Sequence, residues 1–151
     1  MADRYLEFVN STVGSSVAGR LGLPRPAVLR RYAPGDPLLP GPALLAAAAG
    51  SVAAELRGTL AAAGVDVVTD LPESVAAIVL DARSVAAPGD LAAVRDVLAP
   101  AVKVLRASGR VVVLARPPEG ADVAVDATRQ ALDGIVRSLA KELRRGATAN
   151  L

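Results

Sequence analysis

Val111-Val112-Val113-Leu114 has no polar face, and the segment Asp126 to Arg145 that follows has a continuous apolar stripe. The first reads as a β-strand covered on both sides, the pattern of a parallel sheet rather than a half-solvated one. The second reads as a long helix: Leu132, Ile135, Val136, Leu139, Ala140 and Leu143 recur at helical spacing on one face. Asp133 and Arg137 form a favourable i, i+4 pair on the other face, and Gly146 stops the helix.

The same alternation runs outward from this pair. Ala43-Leu44-Leu45-Ala46-Ala47-Ala48 is a short buried strand. Val52 to Ala63 is a helix with Val52, Leu56, Leu60 and Ala63 inward, ended by Gly64. Val65 to Thr69 and Val75 to Leu80 are strands, the second ending at Asp81. Pro88-Gly89-Asp90 opens the next helix with Asp90 as its N-cap, an inner stripe of Leu91, Val94, Leu98, Val102 and Leu105, a bend at Pro100 and an end at Gly109. Ala147 to Leu151 reads as the start of a further strand. The order β-α-β-β-α-β-α with right-handed crossovers predicts an α/β fold, a doubly wound parallel sheet of Rossmann-like or flavodoxin-like type, incomplete at its C-terminus. Residues 43–151 form this degenerate Rossmann-like domain.

Residues 1–42 differ. They carry all three aromatics, Tyr5, Phe8 and Tyr32, and the proline-rich runs Pro34-Gly35-Asp36-Pro37 and Pro40-Gly41-Pro42. Such spacing favours turns and extended pieces over long helices. Tyr5, Leu6, Phe8, Val9 and Val13 fit one short helix. The segment reads as an N-terminal arm that wraps the domain or a neighbour, with a loosely ordered leader as the alternative.

Composition narrows the chemistry. The 151 residues suit one domain, and 52% hydrophobic with 21% charged residues is globular. There is no His and no Cys. This excludes His or Cys catalysis, metal or cluster sites built on those ligands, and disulfides. Seventeen basic against fifteen acidic residues give a net charge of only +2, and no aromatic lies beyond Tyr32, so nucleic acid is not an expected partner. The longest apolar runs, such as Ala43 to Ala49, fall well short of the roughly 18 residues of a membrane span. Met1-Ala2-Asp3-Arg4 does not begin a signal peptide, and the expected location is cytoplasmic.

Ligands of an open parallel sheet bind beyond the carboxyl ends of its strands. After the first strand, Ala47-Ala48-Ala49-Gly50-Ser51 keeps one glycine where a dinucleotide fingerprint needs three, and alanine Cβ atoms crowd the phosphate path. Asp70 stands near the position of a ribose-binding acid, but also where a loop aspartate belongs. Asp81 is placed to meet a ligand or to bond its own loop backbone. Arg116, in Arg116-Pro117-Pro118-Glu119, is placed to meet an anion or to stand exposed at the rim. Lys141-Glu142-Leu143-Arg144-Arg145 resembles a basic patch but complements a helix C-terminus. An enzyme built on carboxylates such as Asp81 and Asp122 finds no support in their spacing.

The last third of the chain resembles the short-chain dehydrogenase/reductase family. Gly109-Arg110-Val111-Val112-Val113-Leu114 is similar to that family's strand leading to its catalytic serine. Ala131 to Leu143 is similar to its catalytic-helix segment, and Gly146 to Asn150 to its G-(I/V)-x-x-N tail. Val9-Asn10-Ser11, Leu21-Gly22-Leu23-Pro24-Arg25-Pro26, Leu29-Arg30-Arg31-Tyr32 and Gly35-Asp36-Pro37 resemble the leader of the high-molecular-weight 3-oxoacyl-acyl-carrier-protein reductases. In those proteins a degenerate domain precedes a complete reductase domain.

The departures carry the implication. By resemblance the family's catalytic tyrosine falls on Val125, its lysine on Arg129 and its serine near Ala115 or Arg116; the N-A-G loop becomes Asp81-Ala82-Arg83. Arginine does not replace that lysine, because its planar fork presents its charge differently. The resemblance therefore implies no catalytic, cofactor-binding or metal-ligating residue in this chain. It implies a structural or oligomerisation domain of a parent that reduces 3-oxoacyl thioesters of acyl-carrier-protein or CoA with NAD(P)H, its partners being copies of itself and a C-terminal reductase domain. The alternative is a free-standing flavodoxin-like module that binds a ligand or a protein. A last strand cut near its start at Leu151 suggests a piece of a longer chain and predicts that the piece self-associates.

Overall fold

The computed structural model describes residues 4–50, 52, 54–120 and 122–151. The expected N-terminal residues Met1, Ala2 and Asp3, Ser51 of the first loop and Ala53 of the first sheet-covering helix lie outside the described residues. The chain divides into two compact units, Met1–Arg30 and Arg31–Leu151.

The first unit holds two helices, α1 (Arg4–Asn10) and α2 (Thr12–Leu21), where one short helix is expected. Ser11 separates them. Its Oγ donates to Phe8 O at 2.7 Å, closing α1, and accepts from Gly14 N at 3.0 Å, capping α2. Gly22 ends α2 in the left-handed region at φ 65°. Gly14 permits the close turn between the helices: a Cβ there would stand 1.8 Å from Phe8 O. The hydroxyl of Tyr5 donates to Pro24 O at 2.7 Å.

The second unit is an α/β layer. Its elements are β1 (Ala43–Ala47), α3 (Ala54–Ala62), β2 (Val67–Val68), β3 (Val75–Asp81), α4 (Leu91–Ala101), β4 (Leu105–Leu114), α5 (Val123–Glu142) and β5 (Thr148–Asn150). The five strands are all parallel, in the order β2-β1-β3-β4-β5. Helices flank both faces, as the continuous apolar runs require. β3, buried along its whole length, is the sheet's centre. On one side Ile78 and Leu80 of β3 and Val111 and Val113 of β4 meet Val94 and Leu98 of α4 and Leu132 and Val136 of α5. The opposite parity of β3 and β1, Ala77 and Ala43, packs with Val65 and with Leu60 of α3.

Several boundaries differ from the sequence reading. α4 ends at Ala101 and passes through a 3-10 turn, Val102–Val104. Pro100 lacks the N–H that a continuing helix needs, and Leu105, expected on the helix stripe, begins β4. Gly109 therefore ends no helix. Val75 pairs with Leu105 and Ala77 with Arg110, so residues 106–109 bulge from β4, with Ser108 at φ 58°. Gly109 suits that bulge, since a Cβ would fall 2.8 Å from the backbone oxygen of Arg106. Asp90 precedes α4 but does not cap it: Oδ2 accepts from Ala86 N and Ala87 N at 3.0 and 2.9 Å, tying back the preceding turn. α5 starts earlier than expected because Asp122 caps it, Oδ1 accepting from Ala124 N and Val125 N. Ala140 is exposed, and Leu132 and Val136 carry the buried stripe. The Asp133–Arg137 pair forms as expected, at 2.7 Å.

Candidate functional site

At the carboxyl ends of β1 and β3 the chain fills its own crevice. Asp81, the last residue of β3, is only 7% exposed. A carboxylate so placed needs a partner, and Arg83, two residues on, supplies a bidentate one: Nε to Oδ1 and Nη2 to Oδ2, each at 2.9 Å. The backbone N of Arg83 also donates to Oδ1 at 3.2 Å. The remaining guanidinium nitrogen, Nη1, reaches Glu55 in the first turn of α3 at 2.8 Å. Its bonds to Asp81 and then to Glu55 hold the guanidinium even more firmly protonated than usual. Two carboxylates thus stand at a helix start where a bound phosphate would put its own negative charge. Beside them Ala48 N donates to Asp81 O at 2.9 Å, and Ser84 Oγ to Ala49 O at 3.1 Å. Gly50 takes φ 71° in open space. Of the two readings of Asp81, the bond to its own loop is present, together with an ion pair that sequence reasoning did not see. Asp70 stands exposed in the bend after β2.

The second feature lies at the other end of the same rim. Ala115, Arg116, Pro117, Pro118, Arg129, Gln130, Asp133 and Leu151 line a cavity of about 350 Å³ beyond β4 and beside α5. Arg129 is brought to this place by α5, whose first turn is fixed by Asp122 and by Asp126, which accepts from Glu119 N and Gly120 N. Its Nη1 donates to Pro117 O at 3.1 Å and pairs with Glu119 at 3.3 Å. Its Nε is buried and meets no acceptor among the described residues. The structure thus brings Arg116 and Arg129 to one cavity. Val125, one turn before Arg129, is half-buried and is not among the residues lining it.

The third feature is apolar. Leu98, Ala99 and Val102 face Ile135 and Leu139 across a groove of about 400 Å³ between α4 and α5, with Arg95 at its edge. Arg95 bonds its neighbour Asp96 at 2.7 Å. Of the expected basic run, Lys141 sits in the last turn of α5, as a dipole-complementing residue should. Arg144 and Arg145 lie beyond the helix. Arg145 takes φ 55° and directs Nη2 to Leu105 O at 3.4 Å, so it ties the chain to β4 rather than capping α5.

No group of three or more Asp or Glu residues able to hold a metal ion occurs among the described residues. No helix among them is long and apolar enough to cross a membrane. No protein-family model matches the chain, and no curated protein matches it.

Proposed function

We propose that this chain is a catalytically inert structural and oligomerisation domain, the N-terminal part of a 3-oxoacyl-acyl-carrier-protein reductase. In this reading the parent reduces 3-oxoacyl thioesters with NAD(P)H in the cytoplasm through a separate, C-terminal reductase domain. The observation that carries the structural role is the groove between α4 and α5. Exposed Ala99 and the half-buried Val102, Ile135 and Leu139 leave apolar surface open beside the core they pack against, and such surface is stabilised by burial against a second surface. Inertness is supported at two places. Hydrocarbon Val125 and paired Arg129 stand where the resemblance puts a tyrosine and a lysine. The Glu55–Arg83–Asp81 group occupies the β1/β3 crevice. We read the winding as flavodoxin-like, on the strand order β2-β1-β3-β4-β5 with its switch between β1 and β3.

The test is association state against concentration, by sedimentation velocity or light scattering, on the wild-type chain and on Leu139→Glu. Self-association of the wild type, lost in Leu139→Glu with its circular dichroism unchanged, supports the reading. A wild-type chain that stays monomeric at high concentration overturns it. Steady turnover of NADPH with a 3-oxoacyl thioester by these residues alone overturns inertness. Saturable binding of a flavin would favour the free-standing binding module instead.

A further inference from the structure

A cleft of about 430 Å³ opens where β3 and β4 begin, at the amino edge of the sheet and opposite the rim that carries Asp81. Three cations line it, each brought there by an irregular piece of backbone. Lys103 stands in the 3-10 turn Val102–Val104 that joins α4 to β4. Arg106 opens the β4 bulge, and its Nη1 donates to Pro40 O at 2.6 Å. Arg145 follows α5 at φ 55°, a left-handed conformation that costs free energy for any residue with a Cβ. Its carbonyl accepts from Ser108 N at 2.9 Å and its Nη2 donates to Leu105 O at 3.4 Å, which ties it to the same bulge.

Charge here is unbalanced. The ionisable residues lining the cleft are Lys103, Arg106, Arg145 and Glu73, all exposed. Three cations against one acid sum to +2. None of the four joins an ion pair among the described residues, whereas Arg83, Arg95, Arg129 and Arg137 each have a carboxylate. The adjoining hollow, which shares Leu105 and Arg145, adds Arg144 and Glu142, whose charges cancel. Like charges gathered in this way repel one another, and a bound anion relieves the repulsion. A monoanion would leave one charge unmatched, whereas a phosphate dianion matches both and accepts hydrogen bonds from guanidinium and ammonium groups alike. Ser74 lines the same cleft and adds a hydroxyl donor. The volume lies in the range of small-molecule sites.

We propose that this cleft binds a phosphate dianion, free or as the monoester of a small molecule, on Lys103, Arg106 and Arg145. The site is independent of the oligomerisation reading and involves no chemical step.

Nuclear magnetic resonance titration of the full 151-residue chain tests it, at fixed ionic strength so that screening stays constant. Inorganic phosphate should saturate, shifting the backbone amides of Ser74, Lys103 and Ala107. Acetate, a monoanion, should bind at least tenfold more weakly. Lys103→Glu should weaken phosphate at least tenfold, because it sets a like charge against the ligand. Arg57→Glu, the same change of net charge on exposed α3, should stay within about twofold of wild type. Glycerol 3-phosphate separates the two sources: binding at least as tight as that of phosphate assigns the cleft to an ester, and weaker binding assigns it to the free ion. The proposal is overturned if phosphate does not saturate, if acetate binds as tightly, or if the two variants weaken phosphate equally, which is the signature of diffuse attraction to net charge. The acetate comparison uses wild-type protein, so it decides the matter even if a variant fails to fold.

Discussion

Leu132→Ala and Leu139→Ala, two turns apart on α5, separate the core of this fold from its open face. Leu132 is fully buried against the sheet in the cluster that holds Ile78, Leu80, Val111 and Val136. Truncation to alanine removes three carbons, worth about 2.4 kcal/mol in lost transfer free energy. The space left behind is walled by β-strands that cannot close over it, and the cavity adds to the cost. A total of about 3 kcal/mol follows, or roughly 10 °C in melting temperature for a chain of this size. Leu139 is half-buried and borders the α4–α5 groove. The same truncation there loses only part of its transfer term, about 1 kcal/mol in the dilute monomer. Urea unfolding followed by far-ultraviolet circular dichroism, at two protein concentrations tenfold apart, measures both. The Leu132→Ala deficit should not depend on concentration, whereas the Leu139→Ala deficit should grow as association sets in. A Leu132→Ala cost below about 1 kcal/mol at unchanged denaturant slope would refute the packing of α5 on the sheet. Equal costs at both positions in dilute solution would refute the distinction between core and groove.

Three further outcomes are expected. Asp122→Ala removes the acceptor for Ala124 N and Val125 N and should cost about 1 kcal/mol of stability by chemical denaturation. The N–H groups of Ala86 and then Ala87 hold the Asp90 carboxyl below its ordinary value of 3.8. Its contribution is therefore complete above that value and is lost as the pH falls below it, through the folded-state pKa; Asp90→Asn should flatten the acid limb of a stability-versus-pH curve there. Gly14→Ala drives a Cβ into Phe8 O and should unpair α1 from α2, seen as lost helical circular dichroism, whereas Gly19→Ala, in open space on the same helix, should leave or increase the helical signal.

The sheet was legible because its strands are short apolar runs and α4 and α5 each show a buried stripe, whereas α3 buries no residue fully. Val111 to Leu114 and the Leu132–Val136 face needed nothing beyond periodicity. Boundaries failed where two signals competed. Leu105 continues the spacing of Leu98 and Val102, yet Pro100 withholds a helical hydrogen bond, and the strand takes Leu105 instead. α2 was hidden by its composition: Gly14, Ser15, Ser16 and Gly19 are weak helix formers. Its local signals are the Ser11 cap and the Gly22 stop, set against the prolines downstream. At the rim, Asp81 was identifiable as the end of a buried run. Its partner Arg83 also bonds Glu55, 28 residues earlier, and no local pattern joins those two. In the sequence Arg129 stands out only as a departure from a lysine. That it borders a cavity with one edge of its fork unused depends on the loop 115–120 folding back onto α5.

Arg83 and Arg129 show how identical side chains at one sheet edge are paired to different extents. Every guanidinium nitrogen of Arg83 has an acceptor: Nε and Nη2 on Asp81, Nη1 on Glu55. Buried Asp81 fixes this arrangement, since a carboxylate only 7% exposed and stripped of its partner would be strongly disfavoured. An incoming anion at β1/β3 would meet the carboxylates of Asp81 and Glu55, both already bonded to Arg83. Among the described residues Arg129 bonds through Nη1 alone, to Pro117 O and to Glu119, which is more than half exposed, and its Nε meets no acceptor. The two arginines thus differ in how many of their N–H groups the fold has already paired, Arg83 with all three nitrogens bonded and Arg129 with its Nε buried and without an acceptor among the described residues.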